Sequence, residues 1–368
     1  MSRREDRRAR AAIEELTPWL RAPMAGVGAR RITVFSPQAT KTTTLAMVLW
    51  VLAEARGDQV LGVDANPDKG KLRARLCPAS SMLPPRGLSD LISQVDADSR
   101  VPEPQRVLRH AAALQPALEQ TPARMLRLIS DAAALPETIA AHTVAQYQAA
   151  FDLLASMFGI LGIDIGRSQT AAATQAAVGA ADHLLVPWEA DGTAMKLVML
   201  AQDDLVRFGH GHLVASSTMV VTAQDPASRL DTAVRLLQDT ADRRHRAGLQ
   251  PLWRTVITVP YDEAAGSVGQ VIWQHLAPDT QLAYSQAAAA VAASFAQPPM
   301  SRPLQPGDGW FTTTPTPAVA AGSDAAPAPG LSGATGVVRS LHAGPPPAAQ
   351  QERPSRPVEG PIGDRGTG

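Results

Sequence analysis

The sequence is short of several features that would point directly to a function. One cysteine, Cys77, stands among 368 residues, which excludes an intramolecular disulfide and a cysteine-based zinc site. Net charge is also lacking, with 34 Lys+Arg balancing 34 Asp+Glu. Bulk electrostatic attachment to nucleic acid is therefore disfavoured, because non-specific affinity comes from neutralising phosphates. No apolar run reaches the roughly 18 residues needed for a membrane span, and no cleavable signal pattern opens the chain. The expected setting is the cytoplasm.

What is present is unevenly distributed. Five arginines fall within the first ten residues, followed by Ile13, Leu16, Trp19 and Leu20 at helix-like spacing before Pro23 and Gly26 interrupt. Such a basic amphipathic arm, residues 1–28, suits a membrane surface, a partner or the chain's own domain, and Glu5, Asp6, Glu14 and Glu15 dilute its charge. At the other end, residues 297–368 are about a third Pro plus Gly. That composition has too little apolar surface to offset chain entropy, and a disordered tail is expected.

Between them, over 29–296, short apolar β-rich runs at 31–35, 59–63, 125–129, 160–163, 184–186, 218–222 and 255–259 alternate with helix-compatible stretches. The latter are 42–55, 144–158, 192–208, 228–247 and 281–295. This alternation predicts an α/β fold: a doubly wound, mostly parallel sheet with helices on both faces. Residues 84–123 read as an insertion with short helices at 88–92 and 107–114.

The chemistry concentrates at the ends of the predicted strands. The first runs into Ser36-Pro37-Gln38-Ala39-Thr40-Lys41-Thr42-Thr43-Thr44 and a helix. In a P-loop, such a junction aims backbone N–H groups at phosphate oxygens, while a Lys and a Ser/Thr reach the terminal phosphates and Mg²⁺. Lys41 and Thr42 occupy those places. The second strand ends in Asp64-Ala65-Asn66-Pro67-Asp68, and the strand at 160–163 leads into Asp164-Ile165-Gly166, an apolar run into Asp as in a Walker B segment. In an open parallel sheet all three would meet outside the carboxyl ends of the strands.

In this order the motifs resemble the ParA/MinD family of deviant Walker A P-loop ATPases, in detail the MinD-like proteins associated with type VII secretion. The resemblance also rests on Ala180-Ala181-Asp182-His183-Leu184 and on Val259-Pro260-Tyr261-Asp262. It implies ATP and Mg²⁺ as cofactors, bound through Thr40, Lys41, Thr42 and Thr43. Asp64 and Asn66 would lie in switch I near the γ-phosphate, and Thr42 and Asp164 would serve the Mg²⁺ shell. Adenine contacts would come from Gln224, Pro260 and Asp262, and partners would be a second copy in a nucleotide-sandwich dimer and a further protein.

The departures bear on activity. The family loop reads K-G-G-x-G-K-[ST]. Here Ser36 replaces its signature lysine, and Pro37, Gln38 and Thr40 replace its glycines. A cation at that position can accelerate transfer by orders of magnitude, and a neutral serine supplies none of it. Lys69, Lys71 and Arg167 are candidate substitutes, and Asn66 can orient water without acting as a carboxylate base. The expected function is a regulatory or scaffolding subunit with weak or no hydrolysis; the alternative is an active ATP-dependent dimerising switch in secretion, partition or positioning. His210-Gly211-His212 lacks the further ligands of a metal site. Arg243-Arg244-His245-Arg246 suits a helix C-terminus electrostatically, so nucleic acid is not an expected partner.

Overall fold

The computed structural model describes residues 3–25, 28–37, 40–66, 71–81, 87–97, 114, 118–131, 138–139 and 141–296. The 297–368 segment, most of the 107–114 helix, and Gln38, Pro67, Asp68 and Lys69 lie outside them.

In chain order the described elements are α1 (Arg3–Glu15), α2 (Thr17–Leu20), β1 (Arg30–Val34), α3 (Lys41–Arg56), β2 (Val60–Ala65), α4 (Leu72–Leu76) and α5 (Leu88–Ala97). There follow β3 (Glu119–Gln120), β4 (Leu126–Ser130), α6 (Val144–Ala155), β5 (Ile160–Ile165), α7 (Ala172–Gly179), β6 (His183–Glu189) and α8 (Gly192–Leu205). The last group is α9 (Gly211–Ser216), β7 (Thr218–Thr222), α10 (Leu230–Arg246), β8 (Thr255–Val259), α11 (Glu263–Gly266) and α12 (Pro278–Ser294). Every predicted strand and helix within the described residues is present, shifted by a few residues at its ends. The two-residue β3 carries no pattern long enough to read from sequence.

The strands form one sheet in the order β3-β4-β2-β5-β1-β6-β7-β8. All pairs are parallel except β3 with β4. From β1 the chain moves through α3 to β2, and from β5 through α7 across to β6. Right-handed crossovers taken in opposite directions put those helices on opposite faces. The core accordingly has two layers. One holds Leu61, Val63, Leu161 and Ile163 with α6 to α10. The other holds Val60, Ile160, Ile32 and Val34 with α3 and α12.

Period-two alternation then fixes the direction of the polar residues: with Val60 and Ile160 on the α3 face, positions 62, 64, 162 and 164 share it. Gly62 and Gly162 are register partners. A Cβ on Gly162 would stand 2.5 Å from Leu49 Cδ2, so this glycine lets α3 settle directly on the central strands. Helix α3 is buried on nearly all sides, including Lys41, Thr42 and Thr44 in its first turn, as expected for a helix apolar all round.

Two predicted helices end early for local reasons. Helix α6 starts with a capping box between Thr143 and Gln146 and stops at Ala155, ahead of the turn into β5. Helix α8 gives way to a π-helical turn, Val206–His210, in which Gly209 takes φ 87°, a value available to glycine without steric cost. At the N-terminus, α1 and α2 pack on α12, with Ala9, Leu16 and Leu20 buried.

Candidate functional site

The carboxyl ends of β1, β2 and β5 bring together Ser36, Lys41, Thr42, Asp64 and Asp164. Strand β1 delivers the loop, and α3 begins at Lys41. Thr40 precedes it in an ordinary right-handed conformation (φ −74°, ψ −4°), and its side chain caps no helix amide. Lys41 is 3% exposed. Its Nζ donates to the carbonyl of Ile165 at 2.7 Å and to that of Gly166 at 2.8 Å. Thr42 Oγ1 donates to Asp164 Oδ2 at 2.7 Å. Both side chains that a P-loop directs to phosphate and metal thus bind the end of β5. Ser36 is buried beside them at 4% exposure, and Thr43 is half-buried.

Asp64 and Asp164 are direct register partners on adjacent strands. Burial, opposed by the Thr42 hydrogen bond and the Lys41 charge, pushes the Asp164 carboxyl up to about 6. Burial and then the neighbouring Asp164 charge push Asp64 well above the usual carboxylate range. Amides only partly offset this: Asp64 accepts from Leu72 N at 3.1 Å and from Asn66 N at 3.4 Å. Two close carboxylates in low dielectric favour retaining a proton between them. Among the described residues, the buried Asp164 Oδ1 has no hydrogen-bond partner.

Sequence reasoning missed how this centre is supported. The Ile165 and Gly166 carbonyls bind Lys41, and the N-terminus of α4 binds Asp64. Asp131, just after β4, is a third nearby acid that raises the Asp64 pKa, but its oxygens accept from Ser89 N at 2.7 Å and Ser89 Oγ at 2.9 Å. Position after a strand end was the available signal for Asp131; backbone partners leave none. Among the described residues no group of three or more His, Cys, Asp or Glu is arranged to hold a metal ion.

The remaining predicted residues lie apart. Gln224 follows β7 and donates through Nε2 to Thr222 Oγ1 at 3.1 Å. Pro260 and Asp262 follow β8, three strands from β1, or about 14 Å by sheet spacing. Asp262 is a cap: its carboxylate accepts from Ala264 N at 2.9 Å and from Ala277 N at 2.7 Å. Of the substitute cations, Lys71 and Arg167 are exposed.

No protein-family model and no curated protein matches this chain. Several solved structures follow a similar path. A ParA family ATPase from Chlorobium tepidum TLS is 18% identical with TM-score 0.47, over 72% of this chain and 98% of that one. A McdA–ATP complex from Cyanothece is 17% identical with TM-score 0.48, over 72% and 97%. The cobyrinic acid a,c-diamide synthase from Mycobacterium smegmatis is 20% identical with TM-score 0.46, over 71% and 92%. At this level of likeness no residue's role is carried across.

Proposed function

We propose that this chain is a ParA/MinD-like P-loop protein acting as a regulatory or scaffolding subunit with weak or no ATP hydrolysis. The observation that carries the reading is the engagement of Lys41 Nζ by the Ile165 and Gly166 carbonyls, in a site whose loop supplies a buried neutral Ser36. To reach a phosphate, Lys41 must abandon two hydrogen bonds and leave two carbonyls without their donor, at about 1–3 kcal/mol for each unsatisfied group. Phosphoryl transfer depends on positive charge placed against the transferring group. Pro37 has no N–H, and the family's signature lysine is replaced by Ser36, so this loop offers little of that charge.

A specific observation favours a second reading, the ATP-dependent dimerising switch of secretion, partition or positioning. Thr42 and Asp164 form an all-oxygen set, and the buried Asp164 Oδ1 has lone pairs to offer. This suits Mg²⁺, which takes one or two carboxylates and fills its remaining positions with water and phosphate oxygens. When bound, the ion would supply the charge that offsets Asp64 and Asp164 and draws in phosphate.

Thermal melting in millimolar MgATP separates the two. The regulatory reading predicts a rise in Tm below about 1 °C, unchanged by Lys41→Ala, because a ligand near or below its Kd adds only tenths of a kcal/mol. A Mg²⁺-dependent rise of several degrees that Lys41→Ala abolishes would favour the switch.

A further inference from the structure

On the α3 face, remote from Lys41, the N-terminal arm borders a half-open cleft of about 690 Å³. Ile13 of α1, Trp50 of α3, and Ile272 and Trp273 of the segment before α12 form its apolar walls. Arg21 and Glu54 also line it. Arg21 Nε donates to the Ala55 carbonyl at 2.8 Å. Glu54 is exposed and makes no ion pair among the described residues. Indole-lined grooves of this size suit polyproline II segments, whose rings pack on aromatic surfaces and whose backbone has little freedom left to lose.

The described chain ends beside residues that adjoin this cleft. The Phe295 carbonyl accepts from Ala25 N at 2.7 Å and Arg30 Nη2 at 3.1 Å. The Arg56 guanidinium lies 5.7 Å from the centre of the Phe295 ring and donates to the carbonyls of Leu20 and Ala22 at 2.8 Å each. Leu20 itself lines the cleft, as does Ser285 of α12. From Ser285 to Phe295 the helical rise amounts to about 15 Å. The described residues therefore end, at Ala296, about 15 Å along α12 from a residue that lines the cleft.

We propose that Arg353-Pro354-Ser355-Arg356-Pro357 of the same chain seats in this cleft. Polyproline II has three residues per turn, so Pro354 and Pro357 share one edge and Arg353 and Arg356 the next. The prolines meet Trp50 and Trp273, and the arginines meet Glu54. Even the coil dimension of a chain as long as the connection from Ala296 to Arg353 is about 40 Å, more than the distance to be covered. Tethering at that length gives a millimolar-range local concentration, enough to fill a weak site.

Disulfide trapping in the full chain tests this. Cys77, the chain's one native cysteine, is 2% exposed, and burial pushes its thiol up to about 11, so it stays unreactive near pH 7.5. Gln274→Cys paired with Ser355→Cys is expected to form an intrachain bond at least tenfold faster than Gln274→Cys paired with Ser323→Cys, although position 323 is nearer in sequence. Adding Glu54→Arg should lower the first rate to the second, and adding Arg353→Glu with Arg356→Glu should restore it. Equal rates at the two tail positions, indifference to Glu54→Arg, or bonds forming only between chains would overturn the proposal.

Discussion

Asp164 is the residue whose environment departs most from what its motif suggests. The sequence shows an apolar run into Asp and a conventional metal carboxylate. The structure adds a facing Asp64, a Thr42 hydroxyl, a nearby Lys41 and an oxygen with no partner among the described residues. Its folded pKa, about 6, lies above the unfolded value near 3.9. The unfolded chain releases this proton first, so the contribution is full below about pH 4 and is lost as pH rises through about 6. Asp164→Asn, which keeps the shape and removes the charge, should raise Tm by several degrees at pH 8. The free-energy gain is on the order of 2–3 kcal/mol, fading towards pH 4. A melting series from pH 4 to 8 checks it; a gain independent of pH would contradict the assignment.

At the scale of elements, the contact between α3 and β5 sets where the loop can sit. Leu49 rests over Gly162 because no Cβ stands there, and that seating carries the first turn of α3, with Lys41 and Thr42, to the ends of β5 and β1. Gly162→Ala should lower stability by about 1–3 kcal/mol through overpacking. It should also lift α3, lengthening the Lys41 contacts to Ile165 and Gly166. Chemical denaturation measures the first effect, and the second is seen as faster hydrogen exchange in the first turn of α3. Exchange unchanged alongside a stability loss would confine the glycine's role to packing. The alternation of strands and helices was legible in the sequence because buried parallel strands leave continuous apolar runs. The pairing of Gly62 with Gly162 was not, since register between distant strands depends on the whole sheet. Helix α4 is only five residues long and owes its place to Asp64 and the neighbouring elements rather than to a pattern of its own.

For the whole molecule, one sheet brings the three motif segments to a common edge, and this convergence was readable from motif order and strand polarity. The direction of Lys41 was not readable, because its partners are backbone carbonyls that no residue type encodes. Asp262 illustrates the same limit: its sequence context resembles a nucleotide contact, while its Oδ1 accepts the Ala264 amide to cap α11 and its Oδ2 accepts the Ala277 amide at the start of α12. On the function proposed above, Lys41 serves the structure of this site rather than turnover. The most direct measurement is steady-state phosphate release from MgATP by the full chain and by Lys41→Ala in parallel, with a melting curve confirming that the variant is folded. Rates for both are expected at the no-protein background, together with a lowered Tm for Lys41→Ala from the two carbonyls left without their donor. Sustained turnover by the full chain that disappears in a folded Lys41→Ala variant would contradict it.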